Sequence, residues 1–115
     1  MKQIFNEKDI KKKIFDDRWV KFAFGSEGII KTESLNMGIT EFSKEKTSLA
    51  HKHAVDEALY IISGRGSVEV DGETHSIKTG DYIYVPRGSS HTIITDKNSK
   101  LRIFFVFSGT TKINY

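Results

Sequence analysis

Apolar and polar residues alternate in short bursts along most of this chain, with the period of two that marks strands half-buried against a core. RWVKFAF (18–24) places Trp19, Phe22 and Phe24 in an imperfect alternation. The stretch 28–42 is alternating and rich in β-branched residues, with Gly38 as its expected break. EALYIIS (57–63), GSVEV (66–70), ETHSI (73–77), DYIYV (81–85), HTIIT (91–95) and LRIFFVF (101–107) follow. Asp71-Gly72 stands between two of these runs and predicts a tight hairpin, because both turn positions need positive φ. The spacing predicts eight or more short strands.

Only residues 5–15, FNEKDIKKKIF, predict a helix. Asn6 can cap it, Asp9 sits in the first turn, and Phe5 and Ile10 occupy the positions of a hydrophobic staple. The whole reads as one all-β domain over 1–115, with an N-terminal extension at about 1–17 and a barrel at about 18–108. Many short strands with frequent turns close into a sandwich or barrel rather than a parallel sheet.

Composition narrows the function classes. The chain of 115 residues has 37 % hydrophobic and 29 % charged residues, ordinary for a globular domain. No apolar run approaches the ~20 residues of a membrane helix. The start, MKQIFNEKDIKKK, lacks the apolar stretch of a signal peptide, so a cytoplasmic location is expected. Cysteine is absent, which removes disulfides, thiolate ligands and cysteine nucleophiles. The net charge of +3 is carried by KDIKKK and scattered lysines, with no interleaved aromatic stripe, and nucleic acid is set aside as a partner.

Two stretches concentrate chemistry: HKHAVDEALYIISG at 51–64 and GDYIYVPRGSSH at 80–91. In the second, Pro86 ends a strand because it cannot donate to the next ladder rung, and Gly88 permits a tight turn before His91. His51-x-His53-x3-Glu57-x6-Gly64 resembles the first cupin motif, and Gly80-x5-Pro86-x-Gly88-x2-His91 resembles the second. The fifteen residues between Gly64 and Gly80 are similar to the spacing in small microbial cupins. The motifs cover 51–95, and the strand pattern extends the likeness to about 18–108. Two positions depart from the pattern: Glu45 stands where a glycine is usual, and Thr95 where an asparagine is common. The resemblance implies a small single-domain cupin, an RmlC-like jelly roll (double-stranded β-helix). It also implies that His51, His53, Glu57 and His91 ligate one metal.

The residues agree with that implication. Positions two apart in a strand share a face, so His51 and His53 can enter the same barrel. Three imidazoles and one carboxylate suit a divalent transition metal: Fe, Mn, Ni, Co or Zn. A His-x-His pair alone is more often two surface residues, and it is the joint spacing with Glu57 and His91 that favours the metal. His75 fits neither motif and is expected to be exposed. Asp56 reads as a turn residue, Arg65 as solvated, and Tyr60, Tyr82 and Tyr84 as packing aromatics. Thr95 shares the strand face of His91 and is a pocket-lining candidate.

The expected function is a metal-dependent enzyme acting on a small polar metabolite, an organic acid or sugar derivative. An oxygen-using oxidoreductase is narrowly preferred over an isomerase or lyase. A binding or sensing module without turnover is the alternative from another class. No general acid or base stands out beyond the four ligands. A homodimer is expected from LRIFFVF, which is apolar from Ile103 to Phe107 and so seeks burial on both faces. The competing cover is the chain's own N-terminal segment with Phe15, Trp19 and Phe22.

Overall fold

The computed structural model describes residues 3–43, 51–52 and 54–109. These form ten strands: β1 (Lys13–Ile14), β2 (Arg18–Phe24), β3 (Leu35–Phe42), β4 (His51–Lys52), β5 (Glu57–Ser63), β6 (Arg65–Val70), β7 (Glu73–Lys78), β8 (Tyr82–Val85), β9 (Ser90–Thr95) and β10 (Leu101–Ser108). A six-stranded sheet runs β1-β2-β3-β10-β5-β8 and a four-stranded sheet runs β4-β9-β6-β7. Every named strand pair is antiparallel. From β3 to β6 and from β7 to β10 each strand crosses to the other sheet, as the jelly roll requires. Among the described residues no helix is long and apolar enough to cross a membrane.

The core lies between the sheets. From the larger sheet come Val20, Phe22, Leu59, Ile61, Phe105 and Phe107; Val68, Ile77 and Ile93 come from the smaller. Burial alternates strictly along β3, β9 and β10, the signature of strands with one face inward. On β10 the inward residues are Leu101, Ile103, Phe105 and Phe107, while Phe104 and Val106 are half-buried on the outer face. The hairpin after β6 forms as its sequence dictates, with Asp71 at φ +48° and Gly72 at φ +87°. Gly64 closes β5 at φ +97°, where an added Cβ would stand 2.0 Å from the Lys100 carbonyl oxygen. Close backbone approach, and not flexibility, is why glycine ends the first motif.

Three expectations are corrected. The helix over 5–15 reduces to one 3-10 turn, Glu7–Asp9, capped by Asn6 as anticipated. A helix that short is marginal, and the chain instead pairs with β2, Lys13 opposite Val20 and Ile14 opposite Trp19. Gly38 does not break its strand. It sits inside β3, where a Cβ would meet the Lys21 carbonyl oxygen at 2.1 Å and Phe105 Cζ at 2.8 Å; the strand begins only at Leu35. In β2 the inward phase is Arg18, Val20 and Phe22, so Trp19 faces outward, and its indole N–H donates to Glu41 Oε2 at 3.2 Å.

The outer face of the larger sheet is covered on one side by the N-terminal segment. Ile4, Phe5 and Ile10 enclose a cavity of 310 Å³ with Phe24, Met37 and Phe104. Glu7 fastens this strap to two strands: it accepts from Lys21 Nζ on β2 at 3.1 Å and pairs with Arg102 on β10. The cover is therefore chiefly Phe5 and Ile10, while Phe22 packs in the core edge-on to Phe105, 6.1 Å between ring centroids.

Candidate metal centre

Glu57 opens β5 with its side chain inward, 4 % exposed. It stands opposite Val85 on one side and Phe107 on the other, both buried. His91 enters from β9 in the other sheet, 6 % exposed, in phase with buried Ile93 and Thr95. The two meet across the barrel, His91 Nε2 3.5 Å from Glu57 Oε1. β4 pairs with β9 so that His51 lies opposite His91 in the ladder. The side chain of His51, and His53 altogether, lie outside the described residues. Of the four expected ligands the structure thus brings Glu57 and His91 together and places the backbone of His51 beside them.

Burial dominates the electrostatics of Glu57. Its carboxyl is pushed up from an ordinary 4.5 to about 8 by desolvation, while the positive charge of Arg18 acts in the opposite direction. Arg18 is itself buried, 3.0 Å from Asp17 Oδ2 and stacked over the Phe42 ring at 5.1 Å. The sequence held a signal for it, since Arg18 is in phase with Val20 and Phe22, but the more conspicuous aromatic residues drew the alternation one position away.

The pair fits a metal. Two donors that each sit ~2.0–2.2 Å from one ion are at most ~4.4 Å apart, and 3.5 Å satisfies that limit. Imidazole nitrogen and carboxylate oxygen are the donors a borderline divalent ion takes. A buried carboxylate also gains most from a neighbouring cation, because low dielectric strengthens the attraction that offsets its lost hydration.

His75 and Arg65 fall where the sequence put them, whereas Tyr82 and Tyr84, expected to pack, are exposed. His75 is exposed and 3.6 Å from Glu73. Arg65 is exposed. Tyr60, Tyr82 and Tyr84 lie on the outer face of the larger sheet, with Tyr60 and Tyr82 rings 4.8 Å apart. Thr95 is inward and buried, and among the described residues its Oγ1 has no hydrogen-bond partner. Asp56 does more than turn the chain: its carboxylate accepts the Arg87 N–H at 2.9 Å.

Comparison with known proteins gives the architecture a family. A cupin-domain family model matches residues 38–107. Dimethylsulfoniopropionate lyase DddW of Ruegeria pomeroyi is 27 % identical over 94 residues, which span 82 % of this chain and 60 % of the lyase. An RmlC-like cupin of Shewanella frigidimarina superposes with a TM-score of 0.81 at 17 % identity, covering 97 % of this chain and 95 % of that one. A predicted oxalate decarboxylase of Thermotoga maritima does so with a TM-score of 0.81 at 20 % identity, covering 93 % and 99 %. At these identities the two structures speak for the fold alone. The family match spans more than half of the chain and takes in Glu57 and His91 as well as the strands that carry them: the chain belongs to the cupin family.

Proposed function

We propose that the barrel holds one divalent transition metal on His51, His53, Glu57 and His91 and uses it to cleave a small carboxylate, as a lyase. The observation that carries the reading is the buried Glu57–His91 pair at 3.5 Å. A histidine and a glutamate brought together from opposite sheets, with apolar neighbours, are costly to bury unless they serve something between them. The substrate class draws support from the relatives' names: a propionate derivative in one and oxalate in the other, both small carboxylates. When bound, the metal would polarise such a carboxylate and stabilise negative charge developing on it. Phe107, Val85 and Ile93 keep water from the pair, and Glu57 and His91 bind and orient. An oxygen-using oxidoreductase is not represented among the relatives named above, so the lyase alternative is the better supported.

The test is elemental analysis of the purified protein, then a mass-change screen against small mono- and dicarboxylates with the metal restored. Stoichiometric metal and loss of one substrate are expected; protein without affinity for any of the five metals would defeat the reading, and saturable binding without turnover would make it a binding module. Affinity should also depend on pH in a particular direction. Metal competes with protons for its ligands, and burial lets Glu57 keep its proton up to about 8 in the metal-free protein. Affinity should therefore climb between about pH 6 and 8, where exposed carboxylates are already ionised and only imidazoles near ~6.5 would otherwise contribute. A plateau reached by pH 7 would count against Glu57 as a ligand.

We also propose that the protein is a homodimer. The N-terminal strap covers the β2–β3–β10 side of the outer face, but the β5–β8 side is bare, with Tyr82 83 % and Tyr84 62 % exposed. Tyrosines on a bare sheet face are typical anchors of protein interfaces, and an isologous pairing would bury the patch on both copies. Light scattering should give twice the 13.1 kDa chain mass, and Tyr82→Lys should halve it. A 13.1 kDa species at high concentration would refute the proposal.

A further inference from the structure

The segment 86–90, the turn between β8 and β9 together with the first residue of β9, is the piece of chain that delivers His91 to the barrel. Few bonds hold it from within: Ser89 N–H donates to the Pro86 carbonyl at 3.1 Å, and Gly88 sits at φ +80° with open space around it. It is gripped instead from outside, by two aspartates that adjoin strands of different sheets. From the β5 side, Asp56 Oδ1 accepts the Arg87 N–H at 2.9 Å and lies 3.7 Å from Arg87 Nε. Asp56 is itself tied down, because its carbonyl accepts the Ser108 N–H at 3.2 Å, at the end of β10. From the β6 side, Asp71 Oδ1 accepts the Ser90 N–H at 2.9 Å, and the Ser90 carbonyl accepts the Asp71 N–H at 3.0 Å. Asp71 is held at φ +48° by the hairpin it starts.

The spacing gives these contacts their meaning. Glu57 follows Asp56 directly, and His91 follows Ser90 directly. Each of the two donors that meet across the barrel is one residue from a pinned position. Side-chain acceptors on backbone N–H groups fix turns as backbone bonds do, and a site whose parts come from different elements depends on such supports. We infer that Asp56 and Asp71 are positioning residues: through Arg87 and Ser90 they lock the 86–90 turn between the two sheets and so fix His91 against Glu57. The geometric consequence stands on the structure alone, whereas the consequence for metal affinity rests on the metal reading above.

The variants must remove each acceptor without disturbing the backbone. Asp56→Ala does so for the first. At Asp71 alanine would be strained by the positive φ, so Asp71→Gly is used. Asp56→Asn and Asp71→Asn keep an acceptor oxygen and serve as rescue variants. In the metal-free protein, NMR should show the Arg87 amide in Asp56→Ala, and the Ser90 amide in Asp71→Gly, exchanging about tenfold faster or more. The nuclear Overhauser contact between the His91 ring and the Glu57 side chain should weaken in both. Affinity for Co(II) should fall about tenfold in each, the range seen when supports of metal ligands are removed. The double variant should lose less than the product, because both pins act through one turn. The asparagine variants should stay near wild type in every readout.

An unchanged His91–Glu57 contact in folded Asp56→Ala and Asp71→Gly would overturn the inference, and so would asparagine variants no better than alanine or glycine. If wild type binds no Co(II), the metal reading fails while exchange and the ring contact still decide the positioning role. Should Asp56→Ala not fold, Asp56→Ser is measured in its place against the same criteria.

Discussion

Replacing His91 with alanine should strip the purified protein of stoichiometric metal and weaken Co(II) binding by more than ~100-fold, since loss of a mere support for a ligand already costs 10–100-fold. His91 is the donor that β9 brings to Glu57, 3.5 Å away, and nothing else described in the structure reaches that carboxylate from the smaller sheet with an imidazole. His91→Gln keeps most of the side-chain volume and should show the same loss with less effect on folding, which separates ligation from packing. His53→Ala should match His91→Ala. His75→Ala is the control: exposed beside Glu73 on the far hairpin, it should leave metal content unchanged. Full occupancy in the His91→Ala protein, measured by elemental analysis, would mean that the ligands are elsewhere.

How much of this was legible in the chain differs from element to element. β2 and β5 run over 18–24 and 57–63, the ranges that the alternation gives. The bounds were legible, but the phase of β2 was not, because Arg18 lies inward and Trp19 outward. Asp71-Gly72 announced its hairpin because few residues tolerate positive φ at two consecutive positions. The N-terminal segment misled because its local signals were those of a helix start. Asn6 and Asp9 do form a capping box, but Phe5 and Ile10 find a sheet face to cover, and tertiary burial overrides propensity. Gly38 read as a break because only the folded state supplies the Lys21 backbone and the Phe105 ring that exclude a side chain there.

The site shows the same division. Glu57 and His91, thirty-four positions apart in the chain, were joined by motif spacing before any coordinates. Arg18 and Asp56 were not. Arg18 influences Glu57 through the barrel interior, and Asp56 meets Arg87 from thirty-one positions away. No periodicity encodes such contacts, since they depend on which strands become neighbours. The pattern of β10 shows the limit most plainly: an unbroken apolar run told that both faces needed cover, and the N-terminal segment was a candidate through Phe15, Trp19 and Phe22, whereas Phe5 and Ile10 are the residues set against Phe104.

Phe107→Ala should be the most damaging core substitution for the site, because it strikes stability and electrostatics together. Phe107 is 2 % exposed, packs edge-on to Phe105 with centroids 5.6 Å apart, and stands opposite Glu57 in the β5–β10 ladder. Truncating a buried phenylalanine costs about 3–5 kcal/mol, the lost transfer energy plus the cavity left behind. For a domain of this size that corresponds to a fall in Tm of roughly 10–30 °C. The cavity would border Glu57 and is polar on that side, so water can enter and hydrogen-bond the carboxyl. Solvation restores the charged form, and the Glu57 pKa should move from about 8 back towards 4.5. Thermal unfolding by circular dichroism measures the first effect, and carboxyl-carbon NMR titration of Glu57 in the metal-free protein measures the second. Phe105→Ala provides the comparison, since Phe105 lies opposite Leu59 rather than Glu57. It should lose stability to a similar degree and leave the Glu57 titration near its wild-type position. Equal displacement of that titration in both variants would show that general loosening of the barrel, and not the Phe107 ring, sets the environment of the carboxyl.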